Sequence, residues 1–102
     1  MKKLIYIGIL AAMMGNYTTV LAADAAAGKA KSSTCAGCHG LNGVSNNPQY
    51  PNLAGQKEVY LIKSIKDYRD GRRKDPMMSS MAAGLSDADI ANLAAFYSSI
   101  KP

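Results

Sequence analysis

The pentapeptide Cys35-Ala36-Gly37-Cys38-His39 constrains this chain more than any other feature, because it holds both cysteines and the one histidine among 102 residues. A disulfide between Cys35 and Cys38 would close too small a loop to restrict the unfolded chain, so it gives no framework for folding. A structural zinc site needs about four ligands and finds three here. A redox-active dithiol also uses Cys-x-x-Cys, but beside a strand of a sheet-containing fold, and no strand pattern is visible. Two thiols three residues apart reach the two vinyl groups along one porphyrin edge. The adjacent imidazole then falls beneath the ring as an iron ligand. Cys-x-x-Cys-His is the attachment signature of a c-type haem. With no second histidine, the sequence points to one covalent haem c, bound by Cys35 and Cys38, with its iron on His39.

The ends of the chain differ in character. Met1-Lys2-Lys3 is basic, residues 4–14 are apolar, and Val20-Leu21-Ala22-Ala23 offers small residues for cleavage. This is the three-part pattern of a secretory signal peptide. The apolar run is shorter than the roughly 20 residues of a spanning helix. No stop-transfer flank follows it, which disfavours the alternative of a retained membrane anchor. Cleavage after Ala22 fits best and after Ala23 is second. Residues 1–22 are thus assigned to a leader and 23–102 to one exported domain.

Removal of the leader leaves 80 residues, a size that is only marginally stable alone. Small exported domains add a disulfide set, a metal or a large cofactor, and a haem would meet that need. Loss of Lys2 and Lys3 lowers the formal charge from +5 to +3. The bases within residues 69–74 stand among Asp67, Asp70 and Asp75 without interleaved aromatics, so nucleic-acid binding has no support.

Asp24 is a candidate N-cap for a first helix over residues 25–33. Gly28 inside it costs up to ~1 kcal/mol against Ala unless another element crosses closely there. Val59, Leu61, Ile62, Ile65 and Tyr68 recur at helical spacing in a second helix, residues 56–70, which Gly71 ends. Ser86-Asp87-Ala88-Asp89 resembles a capping box and opens a third helix carrying Ile90, Leu93, Ala94 and Tyr97. Residues 40–55 and 72–85 read as long irregular segments, and loops of that length in a compact domain are usually functional or disordered. The fold class is all-α, three to four helices with long loops wrapped around one haem. The second loop holds Met77, Met78 and Met81. A methionine thioether can complete haem iron and raise its potential, but methionine is also a core filler, and physics alone does not choose among the three.

Beyond the motif, the chain resembles a small bacterial class I cytochrome c, similar to the single-haem periplasmic members and to either half of their dihaem relatives. The resemblance rests on Gly28, Gly40, Asn42-Gly43, the run Pro48-Gln49-Tyr50-Pro51-Asn52-Leu53-Ala54-Gly55-Gln56, Tyr60-Leu61, Asp75-Pro76-Met77-Met78, and Leu85-Ser86-Asp87 with its helix to Tyr97. It covers nearly the whole mature chain. It implies the class I cytochrome c fold and a periplasmic carrier of single electrons. The implied partners are periplasmic or inner-membrane redox proteins, such as a donor complex and a terminal oxidase or reductase, with no small-molecule substrate and a monomeric state. It points to Met78 as the second iron ligand, then to Met81, then to Met77. It gives Pro48 the carbonyl that accepts from the free nitrogen of His39, and makes Pro51 and Leu53 lining of the haem crevice. It offers Tyr50, Gln56 and Tyr60 to the propionates, and sets Gly28 against Tyr97 or Phe96. The alternative function is a haem-binding subunit or sensor whose open sixth position takes peroxide or a gas, although no second histidine or well-placed arginine suggests a peroxidase pocket.

Overall fold

The structure, a computed structural model, describes residues 22–102; the leader expected at 1–22 lies outside them but for Ala22. The described residues form five helices and no strand, which agrees with the all-α class. They are α1 (Ala25–Lys31), α2 (Ser33–His39), α3 (Glu58–Arg69), α4 (Pro76–Ala82) and α5 (Asp87–Ser99).

Two helices lie where the sequence pattern suggested otherwise. The first expected helix ends at Lys31, and the motif itself is helical in α2. Ser32 marks the junction: its hydroxyl donates to the Lys29 carbonyl at 2.7 Å, a local bond that competes with helix continuation. The segment 72–85 is not irregular throughout, because α4 occupies its middle. The Asp75 carboxylate accepts from the backbone N–H of Met77 and Met78 at 3.1 and 2.8 Å, and Pro76 fills the first turn. An Asp cap followed by Pro is a helix start even where no long apolar period follows.

The core is built on α5. Ile90, Leu93, Ala94 and Tyr97 are buried along it, and Leu61 of α3 joins them. The capping box that starts α5 is formed: Ser86 Oγ accepts from Asp89 N at 3.0 Å, and Asp89 Oδ2 accepts from Ser86 N at 3.1 Å. Helix α1 crosses α5 at Gly28, where an added Cβ would stand 1.9 Å from the Asn92 carbonyl oxygen. The glycine is therefore required by the α5 backbone, and not by Tyr97 or Phe96. Asn92 reinforces the crossing by accepting from Asp24 N through Oδ1 at 2.8 Å. The Tyr97 ring instead meets the loop at Gly43, where a Cβ would come within 3.0 Å of Tyr97 Cδ1.

Charged side chains gather where α3 ends. Lys63 and Arg72 hold Asp67 below the usual carboxylate range, and Arg69 does the same for Asp70 and Asp87. A carboxylate whose folded pKa is lowered stabilises the fold fully above its unfolded value of about 4 and loses that contribution as pH falls through the folded value.

Two outcomes follow from this packing. Gly28→Ala should destabilise the domain by about 2 kcal/mol or more through overpacking, lowering the melting temperature by roughly 10 °C despite the better helix propensity of Ala; an unchanged melt would mean that the crossing is not close. Thermal melts across pH should be flat above about pH 5 and fall below about pH 4, with a smaller fall in Asp87→Asn.

Candidate functional site

Helix α2 presents the motif. Cys35 and Cys38 are free thiols, half-buried, and His39 closes the helix, buried at 7% exposure. Gly40 then reverses the chain at φ 86°; a Cβ there would lie 2.0 Å from the Val44 carbonyl oxygen. The reversal sends the following loop back over His39, and four bonds hold it. Ser45 Oγ donates to the Cys38 carbonyl at 3.0 Å, and Ser45 N donates to Asn52 Oδ1 at 2.7 Å. The backbone N–H groups of Leu53 and Ala54 both donate to the Gly43 carbonyl, at 2.7 and 3.0 Å.

This loop places the Pro51 carbonyl 2.8 Å from His39 Nδ1. A carbonyl only accepts, so Nδ1 carries a proton, which leaves Nε2 as the nitrogen that can take a metal. A bond of this kind fixes the ring and raises its basicity as a metal ligand. The carbonyl acceptor expected at Pro48 is therefore supplied by Pro51. The register is set by the bonds from Ser45, Leu53 and Ala54. They leave Pro48 exposed at the surface in a turn where Tyr50 N donates to the Asn47 carbonyl at 3.0 Å.

Leu53 is half-buried and packs on the core cluster. Tyr50 stands edge-on to His39, with ring centroids 6.4 Å apart. Gln56 Oε1 accepts from Lys57 N at 2.9 Å. Tyr60 is half-exposed, and the neighbouring Ser64 hydroxyl and then the Arg73 guanidinium hold its phenol below the usual range. The three methionines share the short α4. Met78 is half-buried, whereas Met77 and Met81 are 51% and 46% exposed.

The donor set fits a haem c. His39 is buried with Nδ1 tied, while Nε2 has no hydrogen-bond partner among the described residues and is not among the enclosed atoms. Nε2 is thus the ring nitrogen left to take a metal. Cys35, Cys38 and His39 do not converge as a metal site of three side chains, which removes the geometry that zinc would need. Apolar surface is also left over. Leu41, Val44, Val59, Tyr60, Met77 and Met81 remain exposed outside the small buried core. The Tyr97 hydroxyl is enclosed without a partner; burial, and then the neighbouring Cys35, push its pKa up to about 12, so it stays protonated.

Sequence reasoning missed the parts of Ser45 and Asn52, which hold the loop over His39. Asn52 lies within a recognised run, but spacing does not tell which backbone group a loop side chain will meet.

Residues 25–101 match the cytochrome c family. Cytochrome c-554(548) of Halomonas halodenitrificans is 57% identical over 81 residues, covering 76% of this chain and 98% of that protein. A protein of Thiomonas intermedia named as a thiosulfate dehydrogenase electron acceptor is 41% identical over 78 residues, covering 76% of this chain but 36% of its own length. The crystal structure of reduced cytochrome c4 from Pseudomonas stutzeri superposes with a TM-score of 0.74 at 42% identity, covering 78% of this chain and 47% of that one. The chain thus spans nearly all of the first relative and half or less of the other two.

In the haem-loaded protein, Pro48→Ala should leave the absorption spectrum and reduction potential unchanged, because the Pro51 carbonyl still orients His39. A shifted potential in that variant would return the acceptor role to Pro48.

Proposed function

The chain belongs to the cytochrome c family, as a class I member similar to one half of a dihaem cytochrome c4, and we propose that it is a periplasmic single-haem carrier whose iron is held by His39 and Met78. The observation that carries this is the buried His39, proton fixed on Nδ1 by Pro51, directly after two free cysteines on one helix. Haem bound there supplies an iron that takes up and gives back one electron.

The protein's own residues do the rest. Cys35 and Cys38 form the thioethers, and His39 presents Nε2. Pro51 keeps the ring fixed through Nδ1. Met78 as second ligand is supported by its burial relative to Met77 and Met81. Asp75 supports it further, since its carboxylate caps the helix at Met78 N. His39 and Met78, both anchored in the fold, would hold the iron, so electron transfer would need little rearrangement and neither peroxide nor a gas would find a free place. Leu53 and Pro51 line the histidine side.

The chain is an electron carrier, and other electron-transfer proteins are its partners. A relative named as the electron acceptor of a thiosulfate dehydrogenase supports an oxidoreductase as donor, with a periplasmic or inner-membrane oxidase or reductase as acceptor. Export is supported by the leader pattern. No helix among the described residues is long and apolar enough to cross a membrane.

Replacing Met78, Met77 and Met81 singly by Ala tests the assignment. Met78→Ala should lose the weak red-end band of Met-ligated ferric haem, lower the potential and bind carbon monoxide rapidly when reduced. Met77→Ala and Met81→Ala should keep the band. A Met78→Ala protein that retained it would show that another residue ligates iron.

A further inference from the structure

Helix α4 is joined to α3 and α5 by two short connections, and one side chain grips both. Arg69 is the last residue of α3. Its Nε and Nη2 donate to Asp70 Oδ1 and Oδ2 at 2.9 and 3.2 Å. Its Nη1 donates to Asp87 Oδ1 at 2.7 Å and to the Leu85 carbonyl at 3.2 Å. Asp70 stands where the chain leaves α3, and Leu85 and Asp87 where it enters α5. A planar guanidinium fork can make these bonds together; an ammonium point charge cannot. The side chain is only 20% exposed, so water competes less for these bonds than at an open surface. Arg72 steadies the near end, donating to Asp67 at 2.8 Å and to Asp70 at 3.4 Å.

We infer that Arg69 is a positioning residue for the iron's methionine ligand, pinning both ends of segment 70–87 and thereby fixing where α4 holds Met78. This depends on Met78 being the ligand, as proposed above. A segment closed at both ends has fewer conformations to lose when its thioether binds. Opening the clamp frees α4 to move away. His39 is held separately, by Pro51 and the preceding loop, so loss of the clamp should release the methionine side alone.

The experiment uses the haem-loaded protein with Arg69→Gln, Arg69→Lys and Asp87→Asn. Three quantities are followed: the red-end band with rising temperature, the rate of carbon monoxide binding to the reduced form, and the global helical melt. In Arg69→Gln the band should disappear well before the helices melt, and carbon monoxide should bind severalfold faster than to the parent. Arg69→Lys should recover little of either. Asp87→Asn should shift both in the same direction by less, and should add little to Arg69→Gln in the double variant. If Arg69→Gln and Asp87→Asn lower band and helical melt together, with the carbon monoxide rate unchanged, Arg69 is merely structural and the inference is overturned. Should Arg69→Gln not fold, Asp87→Asn decides on the same criteria. A parent protein without the band would overturn the Met78 assignment and the clamp with it, whereas a parent with the band and variants indistinguishable from it would overturn the clamp alone.

Discussion

His39 Nδ1 donates to the Pro51 carbonyl at 2.8 Å, and much of the first half of the domain serves that contact. Gly40 turns the chain at once after the motif helix, Ser45 and Asn52 tie the loop to α2, and Gly43 anchors Leu53 and Ala54. Each is a modest interaction, worth about 1 kcal/mol or so in isolation. Their joint effect is to decide which imidazole nitrogen is free. In the proposed function, that decision suits a buried histidine to hold iron, where otherwise it would be one more satisfied polar side chain.

The second half of the domain solves a different problem. No backbone carbonyl can orient a thioether, so a methionine is placed by the helix that carries it. Asp75 and Pro76 start α4, and Ala82 seats it in the core. The Arg69 contacts then span the connections on either side. The domain is thus asymmetric, with a loop fixed by backbone hydrogen bonds facing a helix fixed by its cap and by charged side chains. Helix α5 is common to both, touching Gly43 through Tyr97 and receiving Arg69 at Asp87.

The helical class, the motif and the capped start of α5 were legible from the sequence because each is a local signal. Cys-x-x-Cys-His is contiguous, and a capping box is complete within four residues. Arg69, Asn52 and Pro51 were not assigned their parts, because each depends on partners brought near by folding. Pro48 and Pro51 show the limit clearly. Both are prolines of one run, each with a free carbonyl, and only the loop register separates them. Gly28 is similar: a close crossing was legible, but the α5 atom that demands it was not. Helix α4 was legible in principle, through Asp75-Pro76, and was hidden by reading a methionine cluster as loop.

The proposed function presupposes one haem joined to Cys35 and Cys38, and mass spectrometry of the protein tests that most directly. Cleavage after lysine releases residues 32–57, which contain both cysteines and His39. The account predicts that this peptide carries the added mass of one haem and that neither cysteine reacts with an alkylating reagent. A peptide of unmodified mass, with both thiols alkylated, would contradict it.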